Sequence, residues 1–146
     1  MIVLAVVLSF ILLLITTLHV YWGIGGIWPG TDQASCARAV VGFRGVDEMP
    51  STAASFAVAA CLALATLWPL ALAGEFATPF PREGLAATAL MIGLVFLGRG
   101  IVGFTPRWRR LAPEQPFARL DQRLYSPLCL LIGLGFAVLA ITEFPA

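Results

Sequence analysis

His19 is the only histidine in the 146 residues, and it sits with Trp22 in an otherwise apolar, uncharged run. Residues three apart on a helix share a face, so Trp22 would wall a pocket into which the imidazole projects. Imidazole changes charge near neutral pH, which suits His19 to proton movement. Arg99 interrupts a second apolar run. A guanidinium at depth is expensive, and it offers a fork of donors to a carboxylate or phosphate. Asp121 and Tyr125, four apart, lead into the last apolar run, where they would orient Arg99 or His19. Placed near one depth, His19, Trp22, Arg99, Asp121 and Tyr125 outline a single candidate ligand pocket.

Each of these residues has a simpler role open to it. His19, Tyr21, Trp22 and Trp28 fit an aromatic belt at headgroup level. Arg99 fits a snorkelling side chain, and an Arg99–Asp121 pair fits a purely structural tie.

The elements that must position these groups are apolar helices. Sixty per cent of residues are hydrophobic and 12% are charged, against about 25% charged in a typical soluble domain. The mean hydropathy is +0.92. Runs of about 20 apolar residues cross a bilayer as helices. Four are predicted, over about 2–22, 53–73, 85–104 and 124–142. The fold class is therefore an all-α polytopic membrane protein, one four-helix domain over residues 1–146. The first run lacks a basic leader and a small-residue cleavage site, and is read as a retained helix. Ser51 is the expected N-cap of the second span. Ser126 is the expected N-cap of the fourth, with Pro127 at its first position. Asp32–Val41 is a candidate short helix ended by Gly42. Small-residue pairs Ala53/Ala57, Ala59/Ala63 and Ala89/Gly93 fit close helix packing in lipid.

Seven arginines fall in the first and third loops and one, Arg82, in the second. Basic residues stay cytoplasmic during insertion, which predicts a cytoplasmic first and third loop and both termini periplasmic. Pro116–Tyr125 looks interfacial, with Phe117, Leu120 and Leu124 opposite Arg119, Gln122 and Arg123.

Shifted by 77 residues, the chain matches itself locally: Gly23-Ile24-Gly25-Gly26-Ile27-Trp28-Pro29 faces Gly100-Ile101-Val102-Gly103-Phe104-Thr105-Pro106, and Pro50 faces Pro127. The match suggests a two-plus-two parallel repeat of the kind found among transporters, although Gly and Pro also gather wherever helices stop.

Near-neutral charge argues against a nucleic-acid partner. Three cysteines without a C-x-x-C give no support for a disulfide relay, and one histidine disfavours the common zinc sites and excludes a bis-histidine haem within this chain. No metal ligand set, cofactor or catalytic residue is assigned, and no nucleotide-binding or hydrolase motif is found.

His19-Val20-Tyr21-Trp22-Gly23-Ile24-Gly25-Gly26, followed by Trp28-Pro29-Gly30, resembles the opening signature of a family of small bacterial membrane proteins. Tyr125-Ser126-Pro127-Leu128-Cys129-Leu130 resembles its closing signature. That resemblance implies a four-helix bundle in a bacterial cytoplasmic membrane, and it supplies no activity.

Three functions follow as expectations. The first is binding, or acting on, a lipid-like or amphipathic small molecule at the cytoplasmic leaflet. The second is an accessory role beside a larger membrane-protein partner. The third is a small homo-oligomeric transporter, disfavoured because the mid-membrane residues are nearly all aliphatic. Membrane lipids are the expected surroundings in every case.

Overall fold

The structure is a computed structural model in which residues 1–143 are described. Four helices are long and apolar enough to cross a membrane. Helix α1 (Ile2–Gly23) leads through a loop holding α2 (Gln33–Val40) to α3 (Thr52–Leu72), and α4 (Arg82–Gly103) follows a short turn. The chain then forms α5 (Pro106–Leu111), α6 (Phe117–Leu120), a π-helical turn (Asp121–Tyr125) and α7 (Ser126–Thr142). The described residues contain no strand.

The helices associate as two hairpins, α1 with α3 and α4 with α7, while α3 and α4 touch much less. Ser9 Oγ donates to the Thr66 carbonyl at 2.7 Å, satisfying a buried hydroxyl across the first hairpin. In the second, Gly93 and Gly133 bring the backbones together: a side chain at Gly93 would begin 3.1 Å from the Gly133 carbonyl oxygen. Leu12, Leu72, Ile132, Phe136 and Leu139 are buried where the hairpins meet. The outer faces carry exposed Val3, Phe10, Leu64, Val95 and Leu131, the composition expected of a surface solvated by lipid.

Of the small-residue pairs, Ala89/Gly93 is buried, Ala53 and Ala57 are both exposed, and of Ala59/Ala63 only Ala59 is buried. Helix α2 forms as its caps dictate. The Asp32 carboxylate accepts from Ser35 N–H at 2.7 Å, the Ser35 hydroxyl returns to the Asp32 backbone, and Gly42 leaves the helix at φ +72°. Ser51 caps α3 through Ala54 N–H at 3.2 Å.

The fourth span departs from expectation. It begins at Phe117 rather than near Leu124, and Ser126 is not an N-cap. The reason lies in Pro127, which lacks an N–H and crowds the carbonyl four residues back. The helix widens instead of stopping, and Ser126 N–H bonds to the Asp121 carbonyl five residues earlier.

Candidate functional site

The five residues expected to share one pocket divide into two groups. Arg99, Asp121 and Tyr125 belong to the end of the α4–α7 hairpin, and His19 and Trp22 line a separate cavity against α3.

Asp121 is fully buried, and both of its carboxylate oxygens are occupied. Oδ1 accepts from Arg99 Nη2 at 2.7 Å and from the Ser126 hydroxyl at 3.0 Å, and Oδ2 accepts from Trp108 Nε1 at 2.9 Å. Arg99 also donates through Nη1 to Ser126 at 3.2 Å, and its guanidinium lies 4.9 Å from the centre of the Trp108 ring. The π turn makes this convergence geometrically available. At about 100° per residue, positions five apart on an α-helix point about 140° away from one another. The wider turn brings Asp121 and Ser126 back onto one side. Gly103 makes room, because a side chain there would collide with the Ser126 hydroxyl. Trp108 arrives on α5, started by the Thr105 cap and Pro106.

The carboxylate of this cluster is fully paired, while about a third of the Arg99 side chain stays exposed (33%). The Arg99 fork expected to take an anionic headgroup is engaged by Asp121 and Ser126, a consequence of burying a carboxylate that must be paired. Tyr125 donates from its hydroxyl to the Ala39 carbonyl at 3.2 Å and packs against Phe117, fastening α2 to the second hairpin. Trp108 and Ser126 were not among the sequence candidates. Trp108 is hidden in an arginine-rich loop, and Ser126 before a proline reads as a cap.

The second group is open. A chamber of about 140 Å³ lies between the end of α1, the end of α2 and the start of α3, lined by His19, Trp22, Val40, Val41, Met49, Pro50, Ala54, Ser55 and Val58. His19 Nδ1 lies 2.8 Å from the Ile15 carbonyl, an acceptor, so Nδ1 carries the hydrogen and Nε2 of the neutral ring has a free lone pair. The Trp22 ring packs edge-on to His19, and its Nε1 donates to the Trp28 carbonyl at 2.7 Å. Cys36 Sγ donates to the same carbonyl, and burial pushes its thiol pKa up. Ser55 is 6% exposed, and its hydroxyl makes no hydrogen bond among the described residues.

A groove of about 380 Å³ lies between α3 and α4, lined by Ala57, Val58, Cys61, Leu62, Ala65, Ile92, Val95 and Phe96. Val58 borders both spaces. Ala54, Val58, Cys61 and Ala65 follow one another at helical spacing, so one face of α3 lines chamber and groove alike.

Residues 12–136 match the model of a family described as "Protein of unknown function (DUF3995)". The chain belongs to this family. The matched span takes in both the Asp121 cluster and the open chamber of this DUF3995 protein. No curated protein and no solved structure matches the chain.

Proposed function

We propose that this DUF3995 protein binds an amphipathic small molecule from the membrane, with its head in the His19–Ser55 chamber and its tail in the groove between α3 and α4. The observation that carries the reading is the shared wall at Val58: a chamber with His19 and Ser55 in its lining and a groove lined by apolar side chains lie on either side of one α3 residue. Ligand sites combine apolar walls with a few convergent polar groups in this way. The sparse contact between α3 and α4 leaves the groove unfilled by protein, and hydrocarbon chains are the natural filling in a bilayer.

We further propose that the chamber faces the cytoplasmic leaflet of a bacterial inner membrane, with both termini periplasmic. The seven arginines of the first and third loops support that orientation, and the resemblance to small bacterial membrane proteins supports the compartment.

A hexadecanol carrying a mid-chain diazirine tests the binding reading in lipid nanodiscs. Adducts should concentrate on Ala57, Cys61 and Ala65 of α3 and on Ile92 and Phe96 of α4. Val58→Trp, which adds bulk at the shared wall, should remove them, while Leu64→Trp, on an exposed position of the same helix outside the groove, should not. Labelling spread evenly over every lipid-facing surface would refute the site.

A further inference from the structure

The hydrogen-bonding inventory of the chamber is lopsided. Within α3 the backbone donors of the lining residues are engaged: Pro50 before it has none, Ala54 N–H goes to Ser51 Oγ, and Ser55 N–H goes to the Ser51 carbonyl, which leaves the Met49 N–H as the one backbone donor at that edge with no bond among the described residues. Val41 N–H is returned to the Ala37 carbonyl. The Trp22 indole N–H and the His19 Nδ1–H are both engaged by carbonyls. Acceptors remain. They are the His19 Nε2 lone pair and the carbonyl end of α2 at Val40 and Val41, which carries the partial negative charge of a helix C-terminus, while the Ser55 hydroxyl can both accept and donate. No Arg, Asp or Glu lines the chamber.

Such a space selects a head that donates and is uncharged. An unpaired phosphate or carboxylate would be buried without a cation, and an ammonium without an anion. A hydroxyl satisfies His19 Nε2 by donating to it, and accepts from the Ser55 hydroxyl in return.

Resting on the binding site proposed above, we infer that its ligand is a neutral amphiphile whose head is an alcohol, its O–H donated to His19 Nε2 and its oxygen accepting from Ser55. Long-chain alcohols and diacylglycerols share this chemistry.

The test uses the full-length protein in nanodiscs and two photoprobes, the diazirine hexadecanol and its methyl ether, which keeps the tail and the oxygen but has no donor. Labelling of the groove is normalised to labelling at Leu64, so that membrane partitioning cancels. The alcohol should label about tenfold more than the ether, the ratio expected for one hydrogen bond whose loss leaves a buried acceptor unpaired. His19→Phe should bring the alcohol down to the ether's level. Ser55→Ala, the smaller change, should lower labelling by alcohol and ether alike and leave their ratio near that of the unaltered protein, a result readable even if His19→Phe does not fold. Dioleoylglycerol should compete with the alcohol probe, whereas palmitate, hexadecylamine and phosphatidic acid should compete poorly. Competition by hexadecanol but not dioleoylglycerol would assign the site to single-chain alcohols and still support the inference. Groove labelling by alcohol and ether alike, or stronger competition by the acid or amine, would overturn the head assignment and leave the site standing. Absence of selective groove labelling by either probe would overturn both.

Discussion

Asp121 accepts hydrogen bonds from three side chains, holding Arg99, Trp108 and Ser126 around one buried carboxylate. Removing one partner of a buried ion pair strands the other, at about 3–5 kcal/mol. Arg99 keeps about a third of its side chain exposed (33%), so relief by water places its loss toward the lower end. Arg99→Ala should therefore destabilise the protein by about 2–3 kcal/mol, measured by unfolding in detergent. The double variant Arg99→Ala, Asp121→Ala should lose less than the sum of the two single changes, because no orphan charge remains. Additive losses would mean that the pair does not couple. The burden of a deep arginine made Arg99 and its acidic partner legible in the sequence. The indole that completes the carboxylate was not legible, since nothing in the order of residues shows that α5 folds Trp108 back over Arg99.

At the scale of elements, the four spans, the capped helix α2 and the Ser51 cap follow from apolar run length and local hydrogen-bond chemistry, and all were legible. The π turn was not. A serine before a proline has the local chemistry of a helix start, and only the need to keep Asp121 and Ser126 on one side favours continuation. Gly103 is the companion of that turn, with a side chain there colliding with Ser126, whereas Gly98 has open space around it. Gly103→Ala should cost about 1–3 kcal/mol by overpacking. Gly98→Ala should be neutral or stabilise by up to about 1 kcal/mol. Equal effects in detergent unfolding would argue against the close approach of α4 and α7.

Helix α2 roofs the chamber, and the Ser35 backbone N–H holds the Asp32 carboxyl below its ordinary pKa. A depressed carboxylate pKa contributes stability above the unfolded value, and that contribution is lost as pH falls through the folded value. Hydrogen exchange of the α2 amides should therefore accelerate below the ordinary carboxylate range beyond its intrinsic pH dependence. Asp32→Asn, which preserves a capping oxygen, should remove that extra acceleration.

For the whole molecule, α1 pairs with α3 and α4 with α7, so each hairpin holds the start of one of the two segments of the 77-residue self-match. Gly23 meets Phe56 in one hairpin and Gly100 meets Leu130 in the other, so glycines in register with each other admit the partner helix in each. The two hairpins differ in what they do with their polar ends. The second pairs its polar groups around Asp121, and the first leaves His19 Nε2 and the Ser55 hydroxyl beside the chamber with no partner among the described residues. The sequence places all five candidates at one depth. It does not show that they fall on different hairpins, because depth follows from position along a helix while neighbourhood follows from how the helices pair.

One histidine in 146 residues makes the central claim directly observable, since ¹⁵N-histidine labelling yields the signals of His19 alone. In nanodiscs at a pH where the ring is neutral, Nδ1 should appear as the protonated nitrogen and Nε2 as the bare one. Adding hexadecanol should move the Nε2 resonance upfield toward a hydrogen-bonded acceptor while Nδ1 stays in place, and Val58→Trp should abolish that movement. A proton found on Nε2 before any amphiphile is added, or an Nε2 signal indifferent to the alcohol, would contradict the account.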